Sequence, residues 1–117
     1  MSNLVIIVQL TALPAWLALT RTQRHEVIER EITPALASQP KVTVRWVDAE
    51  GLTATCSDVL LAETRDLRSW NHLWERVRDS SLFAVPYFRL DAIIPGIEDA
   101  YLDFEATHPD MSEHARA

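Results

Sequence analysis

A chain of 117 residues, 48% hydrophobic and 24% charged, has the length of one domain and the composition of a packed core rather than of a disordered segment. Its formal net charge of −6 and the absence of a basic run argue against a nucleic-acid backbone as partner, since that binding relies on Lys and Arg to neutralise phosphates. Cys56 is the only cysteine, which excludes an internal disulfide and a Cys-ligated structural zinc and makes a reducing cytoplasm the expected location.

Leu4 to Leu19 is apolar enough to mimic a targeting segment. No Lys or Arg precedes it, Gln9 and Thr11 interrupt it and Pro14 breaks it, so neither a signal peptide nor a membrane span is expected. Leu4–Leu10 reads instead as a central strand, apolar on both faces until Gln9. A packed connection with Pro14 and Trp16 follows, and Thr20 with Gln23 forms a capping box for a helix beginning near Arg21. His25, Ile28, Ile32 and Leu36 make one face of that helix, and Pro34 predicts a kink or a tightened last turn. Val42–Val47 alternates as a second strand, the turn chemistry of Asp48–Thr53 follows, and Cys56–Thr64 returns as its antiparallel partner. Asp66 is the predicted N-cap of a second helix with an apolar stripe of Leu67, Trp70, Trp74 and Val77. Tyr87–Ile94 is the last strand, stopped by Pro95-Gly96. A domain over residues 1–105 and a polar tail over 106–117 complete the expected organisation.

The order is β-α-β-β-α-β, which predicts an α+β, ferredoxin-like fold: a four-stranded antiparallel sheet with two helices on one face. Alternation assigns Leu4, Ile6, Val8 and Leu10 to the helix-covered face, with Val42, Val44 and Trp46, then Asp58, Leu60 and Ala62, and finally Phe88, Leu90, Ala92 and Ile94. The opposite face carries Val5, Ile7, Gln9, Thr43, Arg45, Val47, Val59, Leu61, Glu63, Tyr87, Arg89 and Asp91. Apolar area left open on that side predicts a homodimer, with Arg45, Glu63 and Arg89 as charges of the dimer face.

Asp58 is the polar exception on the helix-covered face. With Trp46, His25 and Asp48 it is expected around the space between sheet and helices, where a carboxylate desolvated beside Trp46 could exchange protons with a substrate and His25 could do the same. The competing reading has Asp58 hydrogen-bonded to structure and His25 on the surface. Trp70 and Trp74 are either core or substrate walls. Cys56 has no evident activating base, no histidine pair has metal-ligand spacing, and Gly51 and Gly96, the only glycines, cannot build a phosphate loop. No cofactor or metal is expected.

Trp16-Leu17-Ala18-Leu19-Thr20, Asp48-Ala49-Glu50, Ser57-Asp58-Val59 with Glu63-Thr64, and Pro86-Tyr87-Phe88 leading to Ile93-Ile94-Pro95 occur in an order and spacing that resembles the darcynin family, from Val5 to about Tyr101. Darcynin-like proteins resemble the wider group of dimeric α+β barrels. That resemblance implies pairing of two sheets and a pocket between sheet and helices, on the side of Asp58 and Trp46; it implies no settled activity. Three readings follow. The favoured one is a cofactor-free tailoring enzyme, of oxygenase, isomerase or cyclase type, acting on a small aromatic or polyketide-like molecule, with Asp58 or His25 moving a proton and Trp46, Asp48, Trp70 and Trp74 binding substrate. The alternative is a small-molecule-binding or regulatory dimer without chemistry, and the third is a structural protein with a filled core.

Overall fold

The computed structural model describes residues 2–110 and contains one four-stranded antiparallel sheet in the order β2-β3-β1-β4. The strands are β1 (Leu4–Ala12), β2 (Thr43–Asp48), β3 (Asp58–Thr64) and β4 (Phe88–Ile97). Between them run the short α1 (Pro14–Leu17), α2 (Arg21–Val27), α3 (Thr33–Ala37), α4 (Leu67–Arg78) and the single-turn α5 (Ser81–Ala84); α6 (Ala100–Thr107) follows β4. This is the expected ferredoxin-like order. The helix α6 crosses the boundary at 105, and residues 111–117 of the expected tail lie outside the described residues.

The core is a single cluster on one face of the sheet. Ile6, Val8 and Leu10 of β1, Leu60 and Ala62 of β3 and Phe88 of β4 are buried against Val27, Ile32 and Ala35 on one side and Leu73, Val77 and Leu82 on the other. Trp16 and Trp46 pack their rings on Phe88 at centroid distances of 5.0 and 5.8 Å. Strand alternation thus buries every second residue of β1 and β3 and leaves their odd-numbered partners half-covered.

The helices obey their caps. Thr20 and Gln23 exchange the two bonds of the capping box, and Asp66 caps α4 through the Arg68 amide and the Ser69 hydroxyl. The Ser69 bond foremost holds the Asp66 carboxyl below its ordinary value. The last turn after Pro34 tightens as expected, with the Ser38 amide bonding the Ala35 carbonyl and the Gln39 amide the Leu36 carbonyl. Upstream, the helix also widens into a π turn over Ile28–Ile32, where the Thr33 amide bonds back to the Ile28 carbonyl. Pro34 has no N–H, and its ring would crowd the carbonyl four residues earlier, so a wider turn upstream relieves both defects. Val27 and Ile32, five residues apart, are therefore buried together, and His25 faces solvent instead of the sheet. On α4 the covered side is Ser69, Leu73 and Val77, with Trp70 and Trp74 half-buried and Leu67, expected in the stripe, 59% exposed.

Strand β4 brings the second correction. Gln9 pairs with Ala92 but Leu10 pairs with Leu90, so Asp91 is the extra residue of a β-bulge. The bulge inverts the faces beyond it. Ala92 and Ile94, expected over the helices, share the open face with Gln9 and Ile7, while Ile93 and Pro95 turn to the helix side beside Val8 and Ile6. The strand also continues through Pro95-Gly96 to Ile97 instead of stopping there. Tyr87 lies before the strand, its ring 5.4 Å from Trp16.

The bulge is clamped by charge: Asp91 accepts the Thr11 hydroxyl on one oxygen and the Arg89 guanidinium at 2.8 Å on the other. Burial raises the Asp91 carboxyl, but these two partners outweigh it and hold it below its ordinary 3.8. A carboxyl lowered on folding stabilises at pH values above its unfolded value, and that contribution disappears as pH falls through the folded value. Asp91→Asn is therefore expected to cost about 0.5–1 kcal/mol at pH 7, a difference that shrinks below pH 4 and vanishes in stronger acid. Urea unfolding of both proteins between pH 7 and pH 2.5 checks this; a constant difference across that range would sever the bulge from the charge of Asp91.

Candidate small-molecule site

Between the sheet and the helices lies a cavity of about 70 Å³. Trp46 from β2 and Trp70 and Trp74 from α4 wall it, with Leu60, Leu73 and Leu82 among the remaining side chains. Trp70 and Trp74, one helical turn apart, stack with centroids 5.5 Å apart, and Phe83 meets Trp74 edge-on at 5.8 Å. The lining consists of aliphatic and tryptophan side chains and contains no titratable group. Such a space favours apolar matter, and its volume is below the roughly 300–1,000 Å³ of a pocket that encloses a drug-sized ligand.

Asp58 lies on the helix-covered face as expected, but outside the lining of this cavity. Trp46 pairs with Leu60, so Asp58 is its diagonal neighbour, and the indole N–H of Trp46 donates to one carboxylate oxygen at 2.7 Å. The Ser57 hydroxyl donates to the other at 2.6 Å. Ser57 in turn accepts the Ala12 amide at 2.7 Å, and its own amide bonds the Leu10 carbonyl at 2.9 Å. Its carbonyl receives the Ala49 and Glu50 amides. Asp58 is 8% exposed and closes a polar clamp that joins β1, β2, β3 and the β2–β3 loop. Both oxygens accept bonds from groups of the structure, and the carboxylate serves the clamp outside the cavity lining.

The other expected residues separate. His25 lies on the surface with Arg21 and Arg24 around a shallow depression beside Trp16 and does not approach the cavity. Asp48 pairs with Asp58 at the end of β2 but is exposed. Arg45, Glu63 and Arg89 lie on the open face; Arg89 pairs with Asp91 of its own strand, while Arg45 and Glu63 have no ion-pair partner among the described residues. Among the described residues no three His, Cys, Asp or Glu side chains cluster as a metal site, and no helix is long and apolar enough to cross a membrane.

Sequence reasoning missed Ser57, whose hydroxyl and backbone organise the clamp, and the groove outside the cavity. That groove, about 700 Å³, is floored by Leu4, Ile6, Ile93 and Pro95 and walled by the first turns of α4, with Arg68, Asn71 and His72. Trp70 lines both spaces. The signal for the floor was the bulge, which alone brings Ile93 and Pro95 to this side.

Solved structures with the same architecture include a heme-binding protein from Thermus thermophilus, at a TM-score of 0.73 and 15% identity, matching 90% of this chain and 44% of that one. Chlorite dismutase from Candidatus Nitrospira defluvii, in complex with imidazole, aligns at a TM-score of 0.68 and 12% identity over 81% of this chain and 39% of that one. The chain thus spans less than half the length of either, and at these identities the likeness is one of fold. Sequence relatives are nearer. A darcynin of Acinetobacter baumannii is 37% identical over 90 residues, 77% of this chain and the whole of the relative. A darcynin of Chromobacterium violaceum is 42% identical over 73 residues, 62% of this chain and 92% of that protein. Residues 2–110 match the family model described as darcynin, a domain of unknown function, and with that nearly full-length match the chain belongs to the darcynin family.

Proposed function

We propose that this protein is a homodimer that binds a small aromatic molecule between sheet and α4 and performs no chemistry on it. One observation carries the reading: three tryptophans converge on a cavity whose lining holds no acid, base or nucleophile, while Asp58 is bonded elsewhere. A ring can gain contact area and stacking there, but no group stands ready to move a proton. The enclosed volume accepts only part of a ligand, and displacement of Trp70 would join it to the groove. The heme of the Thermus protein does not suit this cavity, which has about 70 Å³ for a macrocycle and no His, Cys, Tyr or Met in its lining.

Pairing is supported by the open face, where Val5, Ile7, Val59 and Leu61 are half-covered, Val47 is 41% exposed and Ile94 49% exposed. Apolar area of this extent is stabilised by a second copy at about 25 cal/mol per Å².

Titration with 1-naphthol, followed by quenching of tryptophan fluorescence and by calorimetry, tests the binding reading. Saturable binding is expected, with 1-naphthol recovered unchanged. Ala62→Leu, which fills the cavity from β3, is expected to weaken binding about tenfold or more, the loss of roughly 1.4 kcal/mol of contact. No saturation up to millimolar probe, or binding indifferent to Ala62→Leu in a protein with native circular dichroism, would overturn the reading; conversion of the probe would overturn the absence of chemistry.

A further inference from the structure

The groove next to the tryptophan cavity has a charge character opposite to that of the chain. The protein carries a net charge of −6, yet the side chains lining the groove include Arg68 and His72 and no carboxylate. Arg68 and His72 are four residues apart on α4, hence neighbours on one helix face. The Arg68 guanidinium makes no ion pair among the described residues, although Asp66 stands two positions before it: that carboxylate is engaged by the Arg68 amide, the Ser69 hydroxyl and Lys41 at 3.7 Å. Asn71 adds an amide between the two. The floor is apolar, with Ile6 fully buried and Ile93 37% exposed.

A surface with an aliphatic floor and a rim of unpaired donors complements a flat apolar molecule that ends in an anion. The two parts have the right relation to the cavity as well. Trp70 is the shared wall, so a ring lying against Trp70 occupies the same groove that Arg68 and His72 line. A guanidinium matches a carboxylate through two parallel N–H bonds, a geometry that neither a hydroxyl nor an amide of the ligand can satisfy. We infer that the ligand of this protein is an aromatic monocarboxylate whose ring lies along Trp70 and whose carboxylate is held by Arg68, with His72 as a second donor. The inference rests on the binding reading above and specifies the ligand class for that site.

The experiment compares 1-naphthoate with 1-naphthol by calorimetry on the wild-type protein and on Arg68→Gln, Arg68→Lys and His72→Gln. Both positions changed to Gln are exposed and lie outside the core, so the fold is expected to persist, and circular dichroism checks it. The expected result is that wild type binds 1-naphthoate about tenfold or more tightly than 1-naphthol. Arg68→Gln should abolish that preference, weakening 1-naphthoate about tenfold or more and 1-naphthol much less, and His72→Gln should reduce the preference about threefold. Arg68→Lys should recover only part of it, because an ammonium cannot offer the paired donors. Equal affinity for acid and alcohol in wild type would overturn the carboxylate inference and leave the binding reading intact. An equal loss for both probes in Arg68→Gln would make Arg68 a structural residue and also overturn it. If neither probe binds, the carboxylate inference and the binding reading fall together.

Discussion

Replacing Asp58 by alanine is expected to lower the free energy of unfolding by about 2 kcal/mol, the penalty of leaving a part-buried indole N–H without its acceptor. The substitution opens the clamp at its centre, since Asp58 receives both Trp46 and Ser57. Ser57 has a fallback in the Leu10 carbonyl 3.3 Å away; the Trp46 donor has none among the bonds that the structure forms. Asp58→Asn should cost only about 1 kcal/mol, because its amide oxygen still accepts from Trp46 while its NH2 donates to the Ser57 oxygen. Trp46→Phe removes the donor from the opposite side, so the two positions form a cycle whose coupling is expected at about 1–2 kcal/mol. Urea unfolding of both single variants and the double, at matched protein concentration, measures it. A change below about 0.5 kcal/mol for Asp58→Ala would show that the clamp contributes nothing to stability.

Leu61→Arg should separate the proposed dimer. Leu61 faces outward from β3 between Ile7 of β1 and Arg45 of β2, so a charge there is buried without a partner once two sheets meet and stands beside an arginine already present. Wild type at about 10 µM is expected to have twice the 13.3 kDa mass of the chain by light scattering, and the variant the single mass, with unchanged circular dichroism. The dissociation constant should rise by at least about 10²-fold, since an unpaired buried charge costs about 3–5 kcal/mol. A monomeric wild type would sink the pairing outright.

The sheet and its helices were legible because the apolar period changes cleanly from two to about 3.6 and back, and because Thr20, Gln23 and Asp66 mark helix starts by chemistry that acts locally. The nearness of Trp46 and Asp58 was legible for a similar reason: alternation puts them on one face, and a hairpin makes them diagonal neighbours. What alternation cannot reveal is an interruption of itself. Asp91 looks like any outward polar residue of an alternating strand, and nothing local distinguishes it from a residue that opposes no partner. Pro95 looked like a stop, but β4 is an edge strand and a missing N–H can face away from the ladder. The π turn hid His25 in the same way, by changing the helical period within one turn. The engagement of Asp58 by Ser57 depended on the Ser57 hydroxyl turning back along the chain, which no spacing rule encodes.

The bulge at Asp91 divides β4 into two phases. In the first, Phe88 and Leu90 belong to the core side; in the second, the odd positions Ile93 and Pro95 take over that side and Ala92 and Ile94 supply the proposed pairing surface. Groove floor and pairing face are therefore set by the same inserted residue. Closing the bulge without losing a residue would set Asp91 opposite Gln9 and Ala92 opposite Val8 and so exchange the two rows at once, whereas most substitutions along β4 alter one surface only. The pairing of Ala92 with Gln9 is thus what keeps both surfaces, and a strand of the same length paired without the bulge would present a different groove floor and a different pairing row.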